Sequence, residues 1–201
     1  MDVPVTADVE SGYGPDPEDV GVTMTAIIHA GAVGANLEDA RPQSGILHTI
    51  AAQADRVRAA RHAAGSAGLD GFVLNARTDV FLRGVGDTPE DRLREAAARA
   101  SAYAEAGADL LFVPGLVDLP TLTQVVEASP LPINVMAATG GPTVAEFADV
   151  GIAHVSLGTG LAQTAYSAAR QTARNMLTHG TFAPSGPLLD YTDLNGLVPQ
   201  T

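Results

Sequence analysis

The densest set of chemistry-bearing side chains stands near the start of the chain, in Thr6-Ala7-Asp8-Val9-Glu10-Ser11-Gly12-Tyr13-Gly14. Asp8 and Glu10 have the spacing that puts both on one side of a regular strand, and the glycines after them allow a sharp turn. The next apolar stretch closes on Glu38-Asp39. Carboxylates gathered from neighbouring strand tips repel and raise one another's pKa. A hard divalent cation resolves that conflict, and Mg²⁺ takes oxygen ligands while keeping several waters. The same acids could instead cap helices or pair with arginine. A further strand-end motif is Asn75-Ala76-Arg77-Thr78-Asp79. Arg77 either clamps a substrate carboxylate or phosphonate in a bidentate fork, or forms an internal ion pair with Asp79 that balances the site.

The chain has no Lys and no Cys, and all eleven of its Lys+Arg cations are Arg. Schiff-base chemistry on a chain lysine, a thiolate nucleophile and a thiol acid are therefore excluded. Carboxylates, His, Arg, hydroxyls or a metal must carry any reaction. The net charge of −12 argues against a nucleic-acid partner. No apolar run is long enough for a membrane helix, and Met1-Asp2-Val3-Pro4 lacks the basic region of a signal peptide. The expected location is cytoplasmic. The five His residues show no zinc-type spacing. His29, His62 and His179 read as surface positions, His154 as a satisfied core histidine, and His48 as an ordinary surface or helix-start residue. Met136 reads as core filling.

These side chains need a scaffold that brings strand ends together. Apolar stretches at Val3–Asp8, Val33–Glu38, Gly71–Arg77, Leu110–Pro114, Ile133–Met136 and Ala153–Leu157 read as strands. Their continuous hydrophobicity suits parallel strands covered on both faces. Gly31, Gly68, Gly107 and Gly151 precede four of them as helix C-cap glycines. Helix starts are signalled by Asp16-Pro17-Glu18-Asp19, by Thr88-Pro89-Glu90-Asp91 and by Thr143 with Glu146. Ala51–Ala64 and Arg92–Ala106 read as helical stretches with polar outer faces. About six βα units result, where a closed (β/α)₈ barrel has eight. An open parallel sheet is the other architecture the pattern allows, and ligands bind at strand C-termini in both.

Six segments carry a family resemblance when taken in order: VPVTADVESGYG (3–14), GANLED (34–39), LNARTD (74–79), AGADLLFVPG (106–115), PINVMA (132–137) and HVSLG (154–158). The chain resembles the isocitrate lyase/phosphoenolpyruvate mutase superfamily over nearly its whole length. The resemblance implies an α/β fold of (β/α)₈ TIM-barrel type, incomplete, with strands 3–8 present. It implies a Mg²⁺-dependent enzyme that makes or breaks a C–C or P–C bond beside an enolpyruvate, acting on a small 2-oxo acid or related carboxylate. Under it, Asp8 matches the acid that binds the metal most directly, and Glu10 and Glu38 match acids that hold it partly through water. Arg77 matches the substrate-binding arginine. Arg77 and Glu38 are the candidate catalytic residues, and Arg77, Asn134, Gly12 and Tyr13 the candidate substrate contacts. Asn134 could equally satisfy backbone groups in the core. A homo-oligomer, dimer or tetramer, is implied by the way the C-terminal region packs in such enzymes.

Two departures qualify the match. Isocitrate and methylisocitrate lyases carry a Lys/Arg-Cys-Gly-His segment where this chain reads Ala40-Arg41-Pro42-Gln43-Ser44-Gly45-Ile46-Leu47-His48. Without the Cys, those two activities are not expected, and a mutase, a phosphonopyruvate-type hydrolase or an oxaloacetate-type decarboxylase remains. The loop after Glu38 is the expected lid. The family's first two strands also precede the segment that matches Val3. A start read too far downstream or a shortened gene would explain this, with exposed edges at the first and last strands and poor solubility. One domain, 1–201, with a C-terminal tail over 179–201 is expected. The competing functions are a ketopantoate hydroxymethyltransferase-like or metal aldolase-like barrel, and a non-catalytic remnant or subunit.

Overall fold

The computed structural model of the chain describes residues 3–184 and 186–197. Met1-Asp2, to which part of the signal-peptide reading refers, and Ser185 and 198–201 of the expected tail lie outside the described residues.

The chain divides into two compact units, Met1–Ser156 and Leu157–Thr201. The first alternates strand and helix: β1 (Thr6–Asp8), α1 (Pro17–His29), β2 (Gly34–Glu38), α2 (Ile50–Ser66), β3 (Val73–Arg77), α3 (Pro89–Glu105), β4 (Leu110–Phe112), α4 (Leu119–Ala128), β5 (Ile133–Met136), α5 (Val144–Asp149) and β6 (His154–Ser156). The strands form one sheet in the order β1-β2-β3-β4-β5-β6, and every pair is parallel. This curled arc of six strands is the incomplete TIM-barrel architecture the sequence predicts. Strand order equal to chain order is what successive right-handed βα crossovers produce.

Local sequence explains the helix boundaries. Pro89 occupies the first turn of α3, while Thr88 Oγ1 accepts the Asp91 amide at 3.1 Å and Asp91 Oδ2 accepts the Thr88 amide at 3.1 Å. Thr143 and Glu146 make the same reciprocal cap on α5, at 3.2 and 2.8 Å. Gly31 and Gly107 end their helices at φ +96° and +98°, a left-handed turn that costs other residues about 1–2 kcal/mol.

Strand alternation divides the sheet into two chemistries. Ala35, Leu37, Leu74, Ala76, Leu111, Ile133 and Val135 pack in the core with Val57, Ala60 and Ala64 of α2, Ala100 and Tyr103 of α3, and Leu122 and Val125 of α4. Each large apolar side chain fully buried there contributes about 1.5–3 kcal/mol. The alternate positions form a row across the other face that is polar except at Phe112. Asp8 pairs with Asn36, Asn36 with Asn75, Glu38 with Arg77, Arg77 with Phe112, Phe112 with Asn134, and Asn134 with His154. His154, expected as a core histidine, is exposed, because its parity puts it on this polar face at edge strand β6.

The second unit holds α6 (Gly160–His179), which ends at Gly180 with φ +66°, and α7 (Tyr191–Gly196). No residue of α6 is buried, and Leu161, Tyr166 and Leu177 are exposed. No helix among the described residues is long and apolar enough to cross a membrane.

Candidate active site

The three acids named from sequence meet at the backbone of Glu10. Val9 donates its amide to Asn36 O at 3.1 Å, extending the β1–β2 pairing past Asp8. Glu10 then leaves the strand at φ +49°, and its two backbone groups are both taken by the other acids. Its amide donates to Asp8 Oδ1 at 3.1 Å, and its carbonyl accepts the Glu38 amide at 2.8 Å. Glu10 and Tyr13 are non-glycine residues in the left-handed region, on either side of Ser11-Gly12. Such strain persists only where the surroundings over-determine it. Here α2 does so through Arg56, which is 1% exposed. Its guanidinium donates to the carbonyls of Ser11, Gly14 (3.1 Å) and Pro15 (2.7 Å). Gly12 itself, at φ +83°, has no room for a side chain: a Cβ would lie 2.8 Å from Val20 Cγ2 and 3.3 Å from Leu37 Cδ1.

An amide relay runs along the polar face toward Asp8. Asn75 Nδ2 donates to Asn36 Oδ1 at 3.2 Å, and Asn36 Nδ2 donates to Asp8 Oδ1 at 3.2 Å. Asp8 is exposed, and among the described residues its second oxygen takes no hydrogen bond.

Arg77 stands opposite these acids with its orientation fixed. Nε donates to Asp79 Oδ1 at 2.7 Å, Nη2 donates to Asp79 Oδ2 at 3.3 Å, and Nη1 lies 3.0 Å from Glu38 Oε2. The guanidinium also sits 5.8 Å from the Phe112 ring centroid. Of the five N–H donors of an arginine, three are accounted for by these carboxylates. The internal ion pair is thus present, and donors remain for a further anion. Burial pushes the Glu38 carboxyl above its usual range; Arg77 pulls it down, while Asp79, Asp8 and Glu10 push it up.

Asp39 does not join them. Alternation turns it from the rim to the helix side, where it is 0% exposed. Arg99 Nη1 donates to its Oδ2 at 3.0 Å and the Tyr103 hydroxyl at 2.8 Å, while the Asp79 amide donates to Oδ1 at 3.0 Å. Asn134 is 2% exposed, and its Oδ1 is buried without a partner among the described residues. Tyr13 is 67% exposed.

The expected lid is a short hairpin. Ala40 and Leu47 form an antiparallel bridge, and Arg41 donates its amide to Ile46 O at 3.0 Å. His48, read as a surface or helix-start residue, does immediately precede N-cap Thr49, yet it is only 7% exposed. It lines a cleft of about 820 Å³ with Ser11, Tyr13, Arg41, Gln43 and Arg56.

Among the described residues, no group of three or more His, Cys, Asp or Glu side chains stands close enough to hold a metal ion. Glu38 is turned to Arg77, and one oxygen of Asp8 serves Asn36 and the Glu10 amide. The donor set nevertheless suits a hard cation. It is all oxygen, it is in acid excess over Arg77, and its most exposed strand-end acid has a free oxygen. An ion held directly by one carboxylate and otherwise through water needs no tighter convergence.

Sequence reasoning left Asn36 and Asn75 without roles and offered Asp79 only as the alternative ion-pair partner of Arg77. The signal was present in all of them: Asn36 shares parity with Glu38, and Asn75 and Asp79 share parity with Arg77, so each belongs beside the site.

The model of the phosphoenolpyruvate phosphomutase family matches residues 1–177. The chain is 32% identical over 139 residues to 2-methylisocitrate lyase of Escherichia coli (strain K12), covering 65% of this chain and 43% of that enzyme. It spans about half the length of the curated relatives it matches. Among solved structures, it is similar to one from Burkholderia cenocepacia J2315 that carries a provisional phosphonomutase assignment. That match has 46% identity and a TM-score of 0.80 and covers 90% of this chain and 71% of the other. It is also similar to oxaloacetate acetylhydrolase in complex with the product oxalate, with 28% identity, a TM-score of 0.77 and coverage of 98% and 64%. The chain belongs to the phosphoenolpyruvate phosphomutase family, within the isocitrate lyase/phosphoenolpyruvate mutase superfamily.

Proposed function

We propose that this chain carries the strand-end chemistry of a Mg²⁺-dependent enzyme that makes or breaks a C–C or P–C bond beside the carboxylate of a small 2-oxo acid. The observation that carries this reading is Arg77, held by Asp79 and Glu38 with donors to spare, on the same sheet face as the exposed Asp8. A guanidinium fixed in this way binds a substrate carboxylate in a fork. It also stabilises the negative charge that develops on the 2-oxo oxygen as the bond changes, without reorganising at that moment. Asp8 would hold Mg²⁺ directly, and Glu10 and Glu38 through water. The bound ion would supply Lewis-acid polarisation of the substrate oxygen.

The residues narrow the reaction. The segment 40–48 has no Cys to serve as an acid, so a retro-aldol lyase of the methylisocitrate type is disfavoured despite the similarity to such an enzyme. Hydrolysis or decarboxylation of an oxaloacetate-like acid, or phosphoryl chemistry on a phosphonopyruvate-like acid, needs no such thiol. A cytoplasmic enzyme working as a homo-oligomer, dimer or tetramer, completes the reading; the exposed apolar side chains of α6 favour association. A non-catalytic subunit is the second reading, favoured by the closure of Glu38 onto Arg77.

The test is to supply Mg²⁺ with oxaloacetate, phosphonopyruvate or 2-methylisocitrate to the full chain and to follow pyruvate, oxalate and phosphoenolpyruvate against a protein-free blank, with Mg²⁺ uptake measured by calorimetry. Pyruvate or oxalate from oxaloacetate, or pyruvate or phosphoenolpyruvate from phosphonopyruvate, and loss of Mg²⁺ uptake in Asp8→Ala, are expected. Wild-type uptake in Asp8→Ala would remove the metal assignment. Uptake without turnover of any of them would favour the non-catalytic reading.

A further inference from the structure

A buried charged network lies directly behind Arg77, on the opposite face of the sheet. Asp39 and Tyr103 are 0% exposed and Arg99 is 4% exposed. Arg99 Nη1 donates to Asp39 Oδ2 at 3.0 Å and to the Tyr103 hydroxyl oxygen at 2.9 Å, Nη2 donates to His48 O at 3.0 Å, and Tyr103 donates to the same Asp39 oxygen at 2.8 Å. Burying such a set brings little net stability, since desolvation offsets most of the attraction and apolar residues of similar volume often serve as well. Its presence calls for another use.

That use is visible in what Asp39 does with its remaining groups. Its amide donates to Arg77 O at 3.1 Å, and its Oδ1 accepts the Asp79 amide at 3.0 Å. Asp39 therefore brackets the three-residue turn Arg77-Thr78-Asp79 at both ends. The conformation of that turn decides whether the Asp79 carboxylate can reach back to Arg77 Nε, which it does at 2.7 Å. Arg99 and Tyr103 occupy the other carboxylate oxygen, so Asp39 cannot rotate to present a different one. Its backbone carbonyl accepts the His48 amide at 2.8 Å, which ties the same unit to the start of α2.

We infer that Tyr103 and Arg99, acting through Asp39, are positioning residues that set the direction of the Arg77 guanidinium from the far side of the sheet. The inference rests on the reading of Arg77 as the substrate-binding arginine, but its test does not. In the ¹⁵N-labelled full chain, the Arg77 Nε–H signal is assigned by its absence in Arg77→Lys, and its exchange with solvent is measured. Tyr103→Phe keeps the ring and removes one donor to Asp39. It is expected to speed Arg77 Nε–H exchange roughly threefold to tenfold, the scale of one buried hydrogen bond. Val125→Ala, a core truncation in α4, is the control for general loosening and is expected to leave that exchange unchanged. Unchanged exchange in Tyr103→Phe, or an equal rise in Val125→Ala, would overturn the inference. If Tyr103→Phe does not fold, Arg99→Lys carries the same expectation, because an ammonium cannot span Asp39, Tyr103 and the His48 carbonyl at once. Oxalate, a planar dicarboxylate, titrated into wild type and Arg77→Gln separates the two claims. Equal affinity in both counts against the substrate-binding reading of Arg77, and the exchange ratio still decides the positioning role.

Discussion

Glu38 and Arg77 face each other as a direct register pair of β2 and β3, with Glu38 Oε2 3.0 Å from Arg77 Nη1. The pairing is unequal. Arg77 has a second, better-placed acid in Asp79, whereas burial, joined by the like charges around it, pushes the Glu38 carboxyl pKa up. The folded protein therefore binds a proton at Glu38 more readily than the unfolded chain does, and the sign follows from that. Between the ordinary pKa and the raised one, the native state holds more protons, so stability contributed at Glu38 falls as pH rises through this window. Glu38→Gln is accordingly expected to be neutral or slightly stabilising at pH 7 without divalent cations. Urea unfolding of the two proteins checks this, and a marked loss of stability would show that the ion pair outweighs the repulsion.

Asp79 presents the opposite case. It is 0% exposed and receives Arg77 at 2.7 and 3.3 Å and Arg83 Nε at 3.4 Å. Asp79→Asn keeps the shape and leaves Arg77 without its main counter-charge. Breaking a buried pair from one side costs about 3–5 kcal/mol, and the half-exposed Arg83 pair adds little to that. A urea-unfolding midpoint close to wild type would contradict this and would reduce Asp79 to a bystander.

The contrast also shows what could be read from residue types. Six strands, their parallel arrangement and the helix caps at Thr88 and Thr143 were legible because each depends on local pattern: apolar runs, capping pairs and prolines in the first turn. The linking of Asp8 and Glu38 through the Glu10 backbone follows from successive strand ends meeting at one rim, although among the described residues the acid side chains do not converge tightly enough to hold an ion. The fate of Asp39 was less legible. Alternation assigns it to the helix side, but its partners Arg99 and Tyr103 lie sixty and sixty-four residues away, and local pattern does not name such partners. The burial of His48 at its helix start and the exposure of His154 were illegible for the same reason. Burial is decided by what packs over a residue, not by the run it belongs to.

The strained loop after Asp8 gives a steric prediction. At Gly12 a methyl would meet Val20 Cγ2 at 2.8 Å with φ at +83°, whereas at Gly31 φ is +96° but nothing lies within 4 Å. Both substitutions to Ala incur the left-handed penalty of about 1–2 kcal/mol. Only Gly12→Ala adds overpacking, about 1–3 kcal/mol more. Denaturant midpoints should therefore rank wild type above Gly31→Ala and Gly31→Ala above Gly12→Ala. Mg²⁺ uptake should weaken in Gly12→Ala alone, because the loop carries Glu10. Equal costs at the two positions would mean that α1 shifts to absorb the methyl.

His48 supplies the acid-side prediction. Burial, followed by the charges of Arg56, Arg41 and Arg99, pushes its pKa down to about 4 from 6.5. In the unfolded chain the imidazole takes up a proton as pH falls through the ordinary histidine range, while the native state resists until near pH 4. The unfolded state thus binds more protons across this window, so stability rises with pH through it and is lost as pH falls from about 6.5 to about 4. The cleft at His48 is open to water, so screening reduces the effect to about 1–2 kcal/mol. His48→Gln cannot titrate, and its stability should vary less between pH 7 and pH 4.5 than that of wild type, so that, apart from a constant offset, the two curves run together near pH 7 and separate toward the acid end as wild type alone loses stability. Parallel curves over that range would show that His48 titrates alike in both states and that the three arginines do not bear on it.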